Sequence, residues 1–261
     1  MKAPGTVPSG AEWDAELNQI SEDTGITIAR LGIAFHLVTL FEEYGPPSCL
    51  LETREQNGKW IYVFNSRSCL DKNWLEEVMA YIESTLTKHM LSADRIAIKC
   101  FDDLVDFNCL YADNISSEIL KVVENTVIPV LHKLSFKEHE YFAIVTWNGN
   151  IVVGKGEERN VMLPKIPHVF FGHTHPDEVC TPSPADLENM LDALSSGAII
   201  EAIVSRFCSF IVRLRRPLNA NEYDKFFMLV ERYKHDRIDV DELLLELGKI
   251  DSIEVQVKIG H

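Results

Sequence analysis

Apolar and polar positions alternate along this chain with two different periods, and the switches between them outline its elements. After residue 140, Tyr141–Trp147, Ile151–Gly154, His168–His175, Ile199–Ser205, Phe207–Arg215 and Ile253–Ile259 are short apolar runs rich in β-branched and aromatic residues, which predicts strands. The Asn148-Gly149 pair between the first two is a tight-turn signal. Interleaved with them are segments of helical period. One is expected to be capped by Asn114 or Ser116 and to run to about Leu134, with Ile119, Val122, Val123, Val127 and Val130 inside. The others run from Ser183 to Leu194, from Asn219 or Asn221 to Tyr233, and from Asp239 to Leu247.

The first 114 residues are patterned less evenly. Residues 1–10 hold Pro, Gly and Ser without periodicity, Ala11–Ile20 has the look of a short helix, and Ile26–Phe41 is too uniformly apolar for its period to decide between helix and strand. Cys49–Arg54 and Lys59–Phe64 flank Gln56-Asn57-Gly58 and predict a β-hairpin. A helix capped by Asp71 is expected over Asn73–Met90, where Trp74, Val78, Ile82 and Leu86 recur every four residues, and a strand near Arg95–Phe101. Strands interleaved with helices indicate an α/β layered domain over 115–261, a mixed sheet flanked by helices, preceded by a smaller α+β region over 1–114.

Composition narrows the function classes. The chain has 261 residues, 46% of them hydrophobic and 25% charged, as in ordinary globular proteins. Its longest apolar runs, such as Ile199–Ile203 and Phe207–Val212, fall far short of the ~20 residues that span a membrane. The first residues lack the apolar core of an export signal. A formal charge of −15 disfavours a nucleic-acid partner. The one basic cluster, Arg213-Leu214-Arg215-Arg216, fits the exposed side of a strand. The six cysteines form no Cys-x-x-Cys pair, which argues against a zinc ribbon or thioredoxin-type site. A cytoplasmic protein with reduced, mostly buried thiols and no membrane association is the expectation.

Candidate chemistry concentrates in Gly172-His173-Thr174-His175-Pro176, followed after a loop by Ser183-Pro184-Ala185-Asp186. His173 and His175, two residues apart at the end of an apolar strand, present both imidazoles on one face. They can occupy two corners of a zinc tetrahedron, and Asp186, in the first turn of the next helix, can supply a third. Three protein ligands leave the open position that separates a catalytic zinc from a closed structural one. Taken singly, each piece has an ordinary explanation: Ser183-Pro184-Ala185-Asp186 is a good helix start, and His-x-His pairs are common on strands. The joint pattern His-x-His-x7-Ser-x-x-Asp arises by composition alone in about one chain in a thousand.

That pattern resembles the signature of the JAMM (MPN-plus, JAB) zinc metallopeptidases: an upstream Glu, then His-Ser/Thr-His-Pro, then Ser-x-x-Asp after seven residues. The order of elements from about residue 115 onward is also similar to that family's fold, which is related to the cytidine-deaminase-like layered fold. The resemblance implies that His173, His175 and Asp186 hold Zn2+. It implies that a Glu at the mouth of the first strand acts as general base and that Ser183 stabilises the oxyanion. Glu140, directly ahead of Tyr141, occupies the matching place; Glu138, Glu157 and Glu158 compete for it, and the residues after Glu140 lack the Gly common in the family. The implied activity is hydrolysis of a peptide or isopeptide bond, with the tail of a ubiquitin-like or sulfur-carrier protein as substrate.

Three rival readings were weighed. His173-x-His175-x-Asp177 begins like the metallo-β-lactamase metal motif, but Glu178 stands where that motif needs His. The zinc deaminases require His-x-Glu and Pro-Cys-x-x-Cys, both absent. The third is a non-catalytic MPN-type scaffold or interaction module, whose degenerate members lose a ligand. His36, His89, His132, His139, His168, His235 and His261 are scattered; His168 is the one expected near the cleft entrance. Cys180, between the ligands, reads as structural.

Overall fold

The computed structural model describes residues 19–44, 49–65, 95–101, 109–156, 166–176 and 179–260, together with Glu76, Ala80 and Ser84. Among these residues the protein is mixed α/β, with two mixed sheets and six helices. Residues 11–18 of the helix expected over 11–20, and nearly all of that over 73–90, lie outside the described residues.

The apolar segment that periodicity left undecided is helix α1 (Glu22–Tyr44). It lacks a single apolar stripe because it is buried on several sides: Ile28, Ala29, Ile33, Ala34, Phe35, Leu37, Val38 and Phe41 are all within the core. Residues 22–42 are long and apolar enough to cross a membrane, which corrects the expectation drawn from the shorter runs. Here they pack against protein on several sides. Strands β1 (Cys49–Gln56), β2 (Lys59–Asn65) and β3 (Ile96–Phe101) form the first sheet in the order β1-β2-β3. The β1–β2 turn places Asn57 at φ 53° and Gly58 at φ 73°, the two left-handed residues that a twisted two-residue hairpin requires. β3 runs parallel to β2.

The second sheet has the order β5-β4-β6-β7-β8-β9, from β4 (Tyr141–Thr146), β5 (Ile151–Lys155), β6 (His168–Thr174), β7 (Ile200–Val204), β8 (Cys208–Leu214) and β9 (Ile253–Ile259). β6 and β7 are parallel and every other neighbouring pair is antiparallel. Ahead of it come α2 (Ala112–Thr126) and α3 (Ile128–Leu134). One helix was expected there; Pro129, which has no N–H to give, coincides with the break at Val127. Neither Asn114 nor Ser116 is the cap. Asn114 lies inside the first turn and accepts the Tyr111 N–H at 3.2 Å, while Ser116 is buried. Helices α4 (Pro184–Ser195), α5 (Ala220–Lys234) and α6 (Val240–Leu247) are capped by Ser183, Asn219 and Asp239.

The basic cluster also differs from expectation. Arg213 is buried and pairs with Asp113 at 2.8 Å and with Glu254, tying the start of α2 to β8 and β9. Only Arg215 and Arg216 are exposed. The cysteines are not reduced thiols: Cys49 bonds Cys109, Cys180 bonds Cys208, Cys100 is also bonded, and no described cysteine is free. The two described bridges join residues 60 and 28 apart, pairings made by the tertiary fold and invisible to local spacing.

Helix α1, which precedes the boundary expected near residue 114, packs against elements that follow it. His36 Nε2 lies 3.0 Å from the Gly197 carbonyl, and Gly32 lets the helix approach Val169 and Trp147. One continuous apolar core runs from α1 to β9. At Gly25 a Cβ would stand 2.2 Å from the Gly149 carbonyl oxygen, so the helix reaches the β4–β5 turn only because residue 25 lacks one. Gly25→Ala is therefore expected to cost about 1–3 kcal/mol by overpacking, read as a lower urea midpoint for the whole chain.

Candidate metal centre

Strand β6 places the two imidazoles. Its period of two sets Phe171, His173 and His175 on one face, and the His175 N–H donates to the Val204 carbonyl at 2.9 Å, so the chain stays extended beyond the strand's last residue. Helix α4 brings the carboxylate. Ser183 Oγ accepts the Asp186 N–H at 3.1 Å and the Ser183 N–H donates to Asp186 Oδ2 at 2.7 Å, a reciprocal cap that fixes the first turn.

The donor atoms of strand and helix converge. His173 Nε2 and His175 Nε2 are 3.2 Å apart; Asp186 Oδ1 lies 3.3 Å from the first and Oδ2 3.5 Å from the second. A tetrahedral ion with ~2.05 Å bonds has ligand–ligand edges of about 3.3 Å, so these spacings fit a four-coordinate divalent ion. His173, His175 and Asp186 are the one group among the described residues whose ligand atoms cluster in this way. His173 is buried and the other two are partly so. Burial alone would raise the Asp186 pKa, but the imidazoles of His173 and His175 and the Ser183 side chain outweigh it and hold the carboxyl far below its ordinary range. The carboxyl is ready to ligate at neutral pH.

Glu140 is buried just ahead of β4. Phe142 pairs with His173; continuing that antiparallel register sets Glu140 opposite His175, on the face of the two imidazoles. Between the two ligands Thr174 points to the other face, fully buried, and its Oγ1 accepts the Tyr141 N–H at 2.9 Å. That bond holds the residue following Glu140 against the ligand strand. Glu138 is exposed, and Glu157 and Glu158 lie outside the described residues. Ser183 is exposed at the rim, and its oxygen accepts in the cap; a hydroxyl can donate its own proton as well as accept.

The loop from His175 to Asp186 is anchored twice. The Cys180–Cys208 bridge ties it to the start of β8, and the Tyr233 hydroxyl donates to the Pro182 carbonyl at 3.3 Å. His168 stands outside the candidate group: its Nε2 is 2.8 Å from Glu201 Oε1 and its Nδ1 is 2.7 Å from the Ile166 carbonyl. Two roles are not evident from the sequence: the hydrogen bond of Thr174, which enters there only through the His-Ser/Thr-His-Pro pattern, and the buried pairing of Glu201. For Glu201 a signal existed, a lone acid inside the apolar run Ile199–Val204; for Thr174 none did, since its partner is a backbone amide 33 residues away.

Comparison with family models, curated proteins and solved structures returned no match. The purified chain is expected to bind one divalent ion per molecule, measured by elemental analysis, with His173→Ala and Asp186→Asn each abolishing it. Thr174→Val is expected to keep the ion yet cost about 1–3 kcal/mol in chemical denaturation, because the buried Tyr141 N–H loses its acceptor.

Proposed function

We propose that this chain is a zinc-dependent amide hydrolase of the JAMM type, with the layered MPN-like fold of that family. The observation that carries the reading is the convergence of His173 Nε2, His175 Nε2 and the Asp186 carboxylate at tetrahedral spacings, all offered by protein and numbering three. Three ligands leave one position for the reacting species, and two imidazoles with one carboxylate form a donor set that zinc favours. When bound there, zinc supplies Lewis acidity that lowers the pKa of a water to about 7 and polarises the scissile carbonyl.

The remaining steps belong to the protein. Glu140, across from His175, accepts the proton of the attacking water and returns it to the departing amine. Ser183 donates its hydroxyl proton to the oxygen of the tetrahedral intermediate while its lone pair continues to cap α4. Partly exposed Phe142 and Phe171 floor the same sheet face beside the ligands, an apolar bed for an extended chain. The substrate class, the C-terminal tail of a ubiquitin-like or sulfur-carrier protein, follows from the family resemblance. The cytoplasmic assignment loses one support, because the described thiols are paired.

Cleavage of a ubiquitin-like fusion tests the reading. Glu140→Gln is expected to retain the ion and fall about 10²–10⁴-fold in kcat/KM, and Ser183→Ala to fall about 10²-fold with a small loss of stability from the cap. A wild-type chain that binds zinc but cleaves no such amide would leave the scaffold role; a Glu140→Gln variant of full activity would remove Glu140 as base.

A further inference from the structure

The pair His168–Glu201 lies on the same sheet face as the metal ligands and has no part in the chemistry just described. Two features of the backbone put it there. β6 and β7 are parallel with Glu201 beside Phe171 and Ile203 beside His173, so Glu201 stands one same-face position along from the neighbour of a ligand. The β4–β6 ladder is irregular between Val145 and Thr146: Val145 pairs with Phe170 but Thr146 pairs with His168, which leaves Val169 as an extra residue. Such a bulge reverses the alternation and turns His168 onto the face of Phe171, His173 and His175. The four rings form a row, His175 to His173 to Phe171 to His168, with centroids 5.0, 5.4 and 5.9 Å apart.

The hydrogen bonds specify the charges. His168 Nδ1 faces a carbonyl, which can only accept, so it carries a proton; Nε2 faces the Glu201 carboxylate at 2.8 Å. A single proton lies between Nε2 and the carboxyl, and because a carboxyl is ordinarily the stronger acid of the two we take the pair as imidazolium and carboxylate. Glu201 is 2% exposed, and a carboxylate so buried persists only with a partner. Burial pushes the Glu201 carboxyl up, and His168, then His173, pull it part of the way back. For His168, burial lowers the pKa, but the attraction and hydrogen bond of Glu201 and the Ile166 carbonyl outweigh it. The attraction between Glu201 and His173 is the link from the pair to the ligand, across the one same-face step that separates Glu201 from Ile203 on β7. The buried His173 Nδ1 has no hydrogen-bond partner among the described residues, so this ligand lacks the direct outer-shell acceptor that metal-binding histidines commonly have.

We propose that Glu201 is a positioning residue for the metal centre, a buried negative charge that His168 keeps ionised and that strengthens the hold of His173 on a divalent cation. The inference rests on the metal-site reading but not on hydrolysis. Little screening intervenes in so buried a place, so the charge acts over more than contact distance. His168 is then as necessary as Glu201: without the imidazolium, the buried carboxyl takes a proton and its charge is lost.

The test is a cobalt(II) titration of the full-length metal-free chain, followed by visible absorbance, on wild type, Glu201→Gln, His168→Gln and the double variant. Glu201→Gln keeps the shape and a hydrogen bond but removes the charge. Each single variant is expected to weaken cobalt binding about tenfold, and the double variant no further, since both remove the same charge. A purely structural pair would change melting temperature and leave the dissociation constant of the folded protein alone. A constant within twofold of wild type in either single variant overturns the proposal, and additive losses in the double variant overturn it as well. Should one variant fail to fold, the other decides alone. A wild-type chain that binds no cobalt would sink the metal-site reading itself, an outcome distinct from unchanged affinity in the variants.

Discussion

One carboxylate joins two pieces of secondary structure that would otherwise be independent. Asp186 closes the N-terminal turn of α4 through Ser183 and, with the same oxygens, meets the imidazoles at the end of β6. The strand end and the helix start lie in one place because the intervening loop is tied to β8 by Cys180–Cys208 and to α5 through Tyr233. Remove the convergence and His173 and His175 are two histidines on a strand. Keep it and the fold has assembled a three-ligand site before any ion arrives.

The layers around it explain why the strand end is steady. β6 is central in its sheet, paired with β4 on one side and β7 on the other, so its register is set twice. The helices α2 and α3 back the opposite face, where Leu131 meets Gly172 and Arg213 pins the start of α2. Helix α1, though remote in sequence, fills the end of the sheet away from the ligands, against Val169 and Trp147. The apolar N-terminal segment is thus part of the scaffold that carries the site.

How much of this could be read from residues follows from the range of the interactions. The strands and helices after residue 140 obey local rules, and the caps Ser183, Asn219 and Asp239 sit where side-chain chemistry places them. The metal trio was legible because its members keep a fixed spacing within 14 residues. What escaped was made by partners far apart. The disulfides, the Thr174–Tyr141 bond, the burial of Arg213 and the His168–Glu201 pair each join segments that meet only in the folded chain. The helix break at Pro129 is the exception, a local signal overridden by the apolar periodicity on either side of it. The long apolar segment became α1 because tertiary packing, and not its own period, chose its form.

The placement of Asp186 in the first turn of α4 has an electrostatic consequence. A helix carries a partial positive charge at its N-terminus, and this end ordinarily attracts anions. A dication held here by two neutral imidazoles and one carboxylate would retain a net single positive charge and face that positive pole as well. The macrodipole would oppose retention of such an ion, by up to about 2 kcal/mol in partly buried settings, and would add to the positive field felt by a group in its fourth position. The helix that brings the carboxylate would thus also sharpen the acidity of a cation held there.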